Sequence, residues 1–308
     1  MRARRTSLAA DRRQEYSVVN NPIILHCNYV EQGQTIDQMC ERAVRWGYEG
    51  VEFRSRSYGV ADQDPIQYLD ALAKAQKQTG LKHVLFGGPG PDLMQADKDA
   101  RQKDVDWYIE FFRNAAKRFE PMTHNTMAGP LTTDEHPYSH YEKHGSALGT
   151  DELYEQAAGG FRQLGQVADE LGIRFAFETH MGYIHDLAAP AKKLCDLIGH
   201  KSVGINLDYG NISAYNGGPS LADSVKDCGD RLYMLHLKNA FYTPGKQHDH
   251  MIKCSLADGV INNREFMMLV KNAGFDGPIV IEAPRPGDRE WFAQEDIAYL
   301  KSVIAELS

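Results

Sequence analysis

Four side chains able to bind a divalent cation, Glu178, Asp208, His236 and Glu282, each end a short apolar run of β-strand character. The runs read Arg174-Phe-Ala-Phe-Glu178, Val203-Gly-Ile-Asn-Leu-Asp208, Leu232-Tyr-Met-Leu-His236 and Pro278-Ile-Val-Ile-Glu282. Three carboxylates and one imidazole suit Mn²⁺ first, with Mg²⁺ or Co²⁺ as alternatives, better than a thiolate-seeking ion. A dication gripping two neighbouring oxygens of a hydroxy-carbonyl compound polarises the carbonyl and acidifies the adjoining C–H. Glu178 and Glu282 then serve as the acid/base pair, one abstracting a proton to give a cis-enediolate and the other returning it. The bland alternative is an ion-pair network in which either glutamate is neutralised by Lys238, Lys253 or Arg285, because an unpaired buried carboxylate is costly.

These groups are far apart in the chain, so particular elements must gather them. The steps between them, 30, 28 and 46 residues, fit one strand plus one helix each, with an enlarged loop before the last; parallel strands need such crossovers. The expected architecture is α/β: a single-domain (β/α)8 TIM barrel over 21–308, after an N-terminal tail at 1–20, with enlarged loops after strands 4 and 7. In that fold all C-terminal strand ends share one mouth. Pro22 to Cys27 reads as the first strand, Gly50 to Phe53 as the second and Lys82 to Phe86 as the third. Phe119 to Asn125 reads as the fourth, interrupted by Pro121. Thr35 and Gln38 form a capping-box pattern, and Gly47, Gly80 and Gly172 follow helical stretches as stops. Lys98 to Arg118 is the expected third helix and Arg289 to Leu307 the closing one. The segment 126–150 carries His136, His140 and His144 without periodicity, and 238–258 carries His248, Asp249, His250 and Lys253.

Bulk properties narrow the partners. A net charge of −8 with pI near 5.8 argues against a nucleic-acid backbone as ligand. No apolar run approaches the length of a membrane span. Met1 to Gln14 holds five arginines but no apolar core of a signal peptide. The five cysteines (Cys27, Cys40, Cys195, Cys228 and Cys254) form no C-x-x-C pair, which fits a reducing compartment. A cytoplasmic setting is the expectation, and nothing in the charge excludes a small sugar as ligand.

From about Pro22 onward the chain resembles the xylose isomerase-like TIM barrels, which include tagatose/psicose epimerases, inosose dehydratases and endonuclease IV. The likeness rests on Gly50-Val-Glu, Phe177-Glu-Thr-His180, Gly204-Ile-Asn-Leu-Asp208, His236-Leu-Lys238, Ala257-Asp-Gly-Val-Ile-Asn262 and Gly274-Phe-Asp-Gly-Pro-Ile-Val-Ile-Glu282. It implies that Glu178, Asp208, His236 and Glu282 are the metal ligands and that Glu178 and Glu282 are the acid/base pair. Departures from the epimerases are Asn211 in place of a histidine, Ile184 in place of a second glutamate, and Lys253 in place of a substrate-contacting arginine. The substrate pocket is therefore expected to differ.

Candidate substrate contacts are His26 and His124 at strand ends, His180 two residues beyond Glu178, His185 before the fifth helix, and Asn211, Lys253 and Arg285. What the resemblance implies is a metal-dependent sugar isomerase or epimerase acting on a small-molecule sugar or keto-sugar, as a homo-oligomer with room for an additional subunit. A lyase of the same superfamily, a keto-sugar or inosose dehydratase or a C-glycoside-cleaving enzyme, is the alternative, because expulsion of a β-substituent proceeds from the same enediolate. An abasic-site nuclease fits less well, since Gly87-Gly88 and Asn211 stand where that chemistry needs histidines. A barrel that binds sugar without turning it over requires that one of the four ligands point away from the mouth.

Overall fold

Period-two alternation gives each strand of this protein one face for surrounding helices and one for an inner core. The computed structural model describes residues 21–56, 64–242, 251–282 and 285–307. The expected 1–20 tail and the residues His248, Asp249 and His250 lie outside them. In chain order the strands are β1 (Ile23–His26), β2 (Gly50–Arg54), β3 (His83–Gly87), β4 (Thr123–Thr126), β5 (Arg174–Glu178), β6 (Val203–Asp208), β7 (Leu232–Leu237), β8 (Ala240–Tyr242), β9 (Met251–Lys253) and β10 (Ile279–Ile281). Eight of them form the barrel sheet in the hydrogen-bonded order β3-β2-β1-β10-β7-β6-β5-β4, with every pair parallel. This is the expected TIM barrel, nearly closed.

The helices are α1 (Ile36–Trp46), α2 (Pro65–Thr79), α3 (Lys98–Ala115), α4 (Asp151–Leu171), α5 (Ala188–Ile198), α6 (Tyr209–Ile212), α7 (Leu221–Cys228), α8 (Asn263–Asn272) and α9 (Arg289–Leu307). The capping box forms as read: Thr35 Oγ1 accepts the Gln38 N–H and Gln38 Oε1 accepts the Thr35 N–H. Gly47 and Gly80 end α1 and α2 at φ of 85° and 76°, where a side chain would be strained. Helix α3 stops at Ala115, three residues short of expectation. The fourth strand begins only at Thr123, because Pro121 lacks the N–H a ladder needs.

Outward side chains pack in an aromatic layer under the helices, with Phe112 edge-on to Phe175 at 4.8 Å and Phe161 to Phe177 at 4.5 Å. The inner face holds a small plug of Ile24, Leu85, Ala176, Met234 and Val280. Two residues further along those strands stand His26, Gly87, Glu178, His236 and Glu282. The plug thus forms the floor of the mouth, and the chemistry-bearing residues are the next step up on the same face. Between β6 and β7 the register shifts at Ile205/Asn206, a bulge that leaves Met234, His236 and Lys238 in the inward phase.

No ladder joins β3 to β4 among the described residues. There the Phe86 N–H donates to His124 Nδ1 at 3.1 Å, so an imidazole replaces a strand carbonyl across the seam. In the enlarged seventh loop, β8 and β9 pair as an antiparallel ribbon, which its sequence does not announce. No helix of the described residues is long and apolar enough to cross a membrane.

Candidate metal centre and active site

Strands β5, β6 and β7 and the end of β10 bring Glu178, Asp208, His236 and Glu282 together. One ligand atom from each lies within 4.8 Å of all the others. His236 Nδ1 is 3.0 Å from Glu282 Oε2, 3.7 Å from Glu178 Oε2 and 4.0 Å from Asp208 Oδ2. Donors at about 2.1 Å from a central ion stand up to about 4.2 Å apart across it, and the three separations from His236 Nδ1 fall within that limit. Asp208 Oδ1 accepts the Asn211 N–H, while its buried Oδ2 has no hydrogen-bond partner. The Lys238 ammonium lies 2.7 Å from that oxygen as an ion pair outside hydrogen-bond geometry. An oxygen so placed, in an oxygen-rich donor set, fits a hard divalent cation.

The surrounding shell fixes the geometry. Glu52, fully buried on β2, lies 2.9 Å from His236 Nε2, which holds the proton on Nε2 and aims the Nδ1 lone pair at the cluster. Gly87 makes this possible, because a Cβ there would sit 2.2 Å from Glu52 Oε1. Asn125 Nδ2 donates to Glu178 Oε2 at 2.9 Å and to Glu52 Oε1 at 3.3 Å. Asn211 Nδ2 donates to Glu178 Oε1 at 3.0 Å, and its Oδ1 accepts from Lys238 Nζ at 3.2 Å. Both oxygens of Glu178 are thereby oriented. Asn28 Nδ2 donates to Glu282 Oε1 at 3.2 Å, and Lys238 Nζ is 3.1 Å from Glu282 Oε2.

Electrostatics follows from this packing. Burial alone would raise the Glu282 carboxyl, yet Lys238, His26 and His236 hold it well below the usual carboxylate range. Glu178 is also lowered, burial being outweighed chiefly by His236. Burial wins at Asp208, which is pushed up to about 6 despite Lys238. Burial opposes protonation of His236, but Glu52 and Glu178 raise it well above its ordinary value. A dication can take over that proton's role at Nδ1. Glu52→Gln should weaken divalent-cation binding about 10- to 100-fold, measured by calorimetric titration; unchanged affinity would show that the carboxylate does not orient His236.

The other expected residues divide sharply. His26 lies at the mouth, its Nε2 3.8 Å from Glu52, and Asn211 bridges Glu178 and Lys238. His180 stands beside Glu178 closely enough to lower it electrostatically, its Nδ1 donating to the Met181 carbonyl. The Lys253 ammonium is half-buried and lowered, first by burial and then by Lys238, with Glu282 and Asp208 nearby. Arg285 instead turns to α9, with Glu295 at 3.2 Å and Asp296 at 3.5 Å, over the Phe292 ring. His124 faces outward, packed between Phe86 and Phe112; its neighbour Asn125 takes the mouth position. His185 commits both nitrogens to backbone, donating to the Glu178 carbonyl and accepting from the Ala128 N–H. Of the loop histidines, His144 is buried between Thr133 and Pro137, and His136 and His140 are not buried.

Sequence reading passes over Glu52, Asn28 and Asn125 as site residues. The signal for Glu52 is its place near the end of an apolar run, in the same phase as Gly50. For Asn125 the signal is obscured, since an error of one residue in strand register exchanges the two faces.

Burial lowers His124 to about 3 and His185 to about 4. Below about pH 6.5 the unfolded chain therefore takes up protons that these native imidazoles refuse, and stability falls as the pH falls. The stability gap between the parent and His124→Gln should narrow by roughly 2–3 kcal/mol from about pH 6.5 to about pH 4.5, read from urea unfolding at each pH. A constant gap would mean that the seam imidazole is not held neutral.

Three comparisons bear on this site. The family model described as xylose isomerase-like TIM barrel matches residues 40–303. Inosose dehydratase 2 of Bacillus cereus is 26% identical over 156 residues, 44% of this chain and 48% of that protein. The chain thus spans about half the length of the curated relatives it matches. Among solved structures, a xylose isomerase-like TIM barrel protein from Mycobacterium smegmatis in complex with magnesium superposes with a TM-score of 0.73 at 18% identity, covering 95% of this chain and 99% of that one. D-psicose 3-epimerase with D-tagatose from Clostridium cellulolyticum H10 gives 0.71 at 16% identity, covering 92% and 99%. At such identities these two likenesses establish the fold alone.

Proposed function

The chain belongs to the xylose isomerase-like TIM barrel family, and on that premise we propose that it is a divalent-metal-dependent isomerase or epimerase of a sugar or keto-sugar. The observation that carries this reading is the convergence of Glu178 and Glu282 on His236 Nδ1, at 3.7 and 3.0 Å, with Asp208 beside them. Glu178, Asp208, His236 and Glu282 would hold the ion. When bound, it supplies Lewis-acid polarisation of a substrate carbonyl. We name Mn²⁺ first, with Mg²⁺ and Co²⁺ also matching the donors.

The protein's own groups account for the rest. Glu178, ionised and fixed through both oxygens, removes the proton next to the carbonyl; Glu282, 3.0 Å from His236 Nδ1, returns one. Lys238 keeps Asp208 and Glu282 ionised and is held in place by both of them and by Asn211. Lys253, His26 and His180 are left to meet hydroxyl groups around the mouth. The five buried, unpaired cysteines support a reducing, cytoplasmic setting.

A second reading, elimination of a β-substituent from the same deprotonated substrate, is favoured by the sequence relatives, which are inosose dehydratases. Incubation in D₂O with ketoses, aldoses, inososes and 3-keto-glycosides separates the two. Deuterium incorporation with no other change in mass marks the isomerase or epimerase, and loss of water or an aglycone marks the lyase. No exchange and no loss with any compound in the presence of Mn²⁺, Mg²⁺ or Co²⁺ would overturn the catalytic reading.

A further inference from the structure

The loops after β4, β6 and β7, on one side of the mouth, contribute side chains to a single aromatic arc. Tyr138 and Tyr141 come from the loop after β4, Tyr215 from the segment after α6, and Tyr242 from β8. Tyr141 stands 5.6 Å from Tyr138 and 5.8 Å from Tyr215, centroid to centroid. The arc reaches toward the metal ligands, since Tyr242 Oη shares a hydrogen bond of 2.8 Å with Ser213, whose hydroxyl donates to the carbonyl of Gly210, two residues beyond Asp208. None of the four rings is fully buried, and Tyr138 is 50% exposed.

The phenols of Tyr138, Tyr215 and Tyr242 are committed to the protein. Tyr138 Oη donates to the Met181 carbonyl at 3.0 Å, Tyr215 Oη donates to Asp186 Oδ2 at 2.9 Å, and Tyr242 Oη is held by Ser213. Burial raises all three above the ordinary phenol value, so they remain neutral. What the arc offers a ligand is therefore chiefly ring surface. A sugar ring needs partners for its hydroxyls as well as a stacking face, whereas a flat aromatic group needs only the face. The β1 end of the mouth is polar, with His26 and Asn28, and Lys253 stands on the β8–β9 ribbon that also carries Tyr242.

We propose that the mouth is built for a two-part substrate, a keto-sugar at the metal ligands joined to a planar aromatic aglycone lying along Tyr138, Tyr141, Tyr215 and Tyr242. This rests on the sugar-enzyme reading above and narrows its substrate class to aryl glycosides. Stacking of this kind supports a preference of about tenfold for an aryl over a methyl substituent.

The test is calorimetric binding to the Mn²⁺-loaded protein of phenyl β-D-glucopyranoside, methyl β-D-glucopyranoside and cellobiose, together with the 3-keto forms of the first two. The phenyl compounds should bind about tenfold or more tightly than their methyl counterparts and than cellobiose. The double substitution Tyr138→Ala with Tyr141→Ala should reduce that preference to less than about threefold. Equal affinities, failure of any compound to bind, preference for cellobiose, or a preference untouched by the double substitution would each overturn the aromatic subsite. Mn²⁺ titration of the same variant separates the two levels: retained metal affinity with lost aryl preference isolates the arc, whereas a parent protein that binds no Mn²⁺ fails at the sugar-enzyme reading itself.

Discussion

Glu178→Gln is expected to lower kcat by roughly 10²- to 10⁴-fold, the range carried by a positioned general acid or base, and to abolish solvent deuterium exchange at the reacting carbon. The substitution preserves volume but replaces one carboxylate oxygen by an amide donor, facing the donors Asn125 Nδ2 and Asn211 Nδ2. One hydrogen bond is therefore lost whichever way the amide turns, and the remaining oxygen is a poorer ligand. Loss of metal and loss of the base are separated by saturating with Mn²⁺ and measuring occupancy. Full occupancy with exchange at the parent rate would remove Glu178 from the proton-transfer step. Glu282→Gln is the matched experiment for the returning proton; Lys238 and His236 each lose one charge partner there and keep Asp208 and Glu52 respectively.

Stripping divalent ions with a chelator should bring turnover to background, and refilling should restore it. The carboxylates of Glu52, Glu178, Asp208 and Glu282 crowd this end of the barrel against the cations Lys238 and, without metal, protonated His236. A bound dication relieves their mutual repulsion, so the metal-loaded protein should also unfold at a higher temperature. At about one hundred times Kd the added stability is about 2.7 kcal/mol, which for a chain of this length moves Tm by on the order of 5 °C. Thermal unfolding with and without Mn²⁺ reads this directly. Full activity in the presence of chelator, or loss that refilling does not reverse, would sink the metal-dependent mechanism.

How much of this is legible along the chain depends on whether a residue's role is set by its own strand or by its neighbours. The barrel class is legible, because strand, helix and glycine stop recur at crossover length, and that rhythm is local. The four converging positions Glu178, Asp208, His236 and Glu282 are legible too, because each ends an apolar run and inward residues repeat every second position. Lys238 is legible only as a rival partner for the acids; in the structure it is their partner and still leaves Asp208 Oδ2 without a hydrogen bond.

Tertiary structure alone decides which polar residues face the ligands. His124 and Asn125 are adjacent and equally polar, and only the strand register, obscured by Pro121, sends the first to the Phe86–Phe112 wall and the second to Glu178. Arg285 follows the last barrel strand as a substrate contact should, yet Glu295 and Asp296 on α9 draw it away. Glu52 and His236 are separated by 184 positions, and nothing near either one encodes their hydrogen bond. Chain periodicity sets the direction of a side chain relative to its own backbone; its partners are set by barrel closure, which establishes distances between segments that share no local sequence.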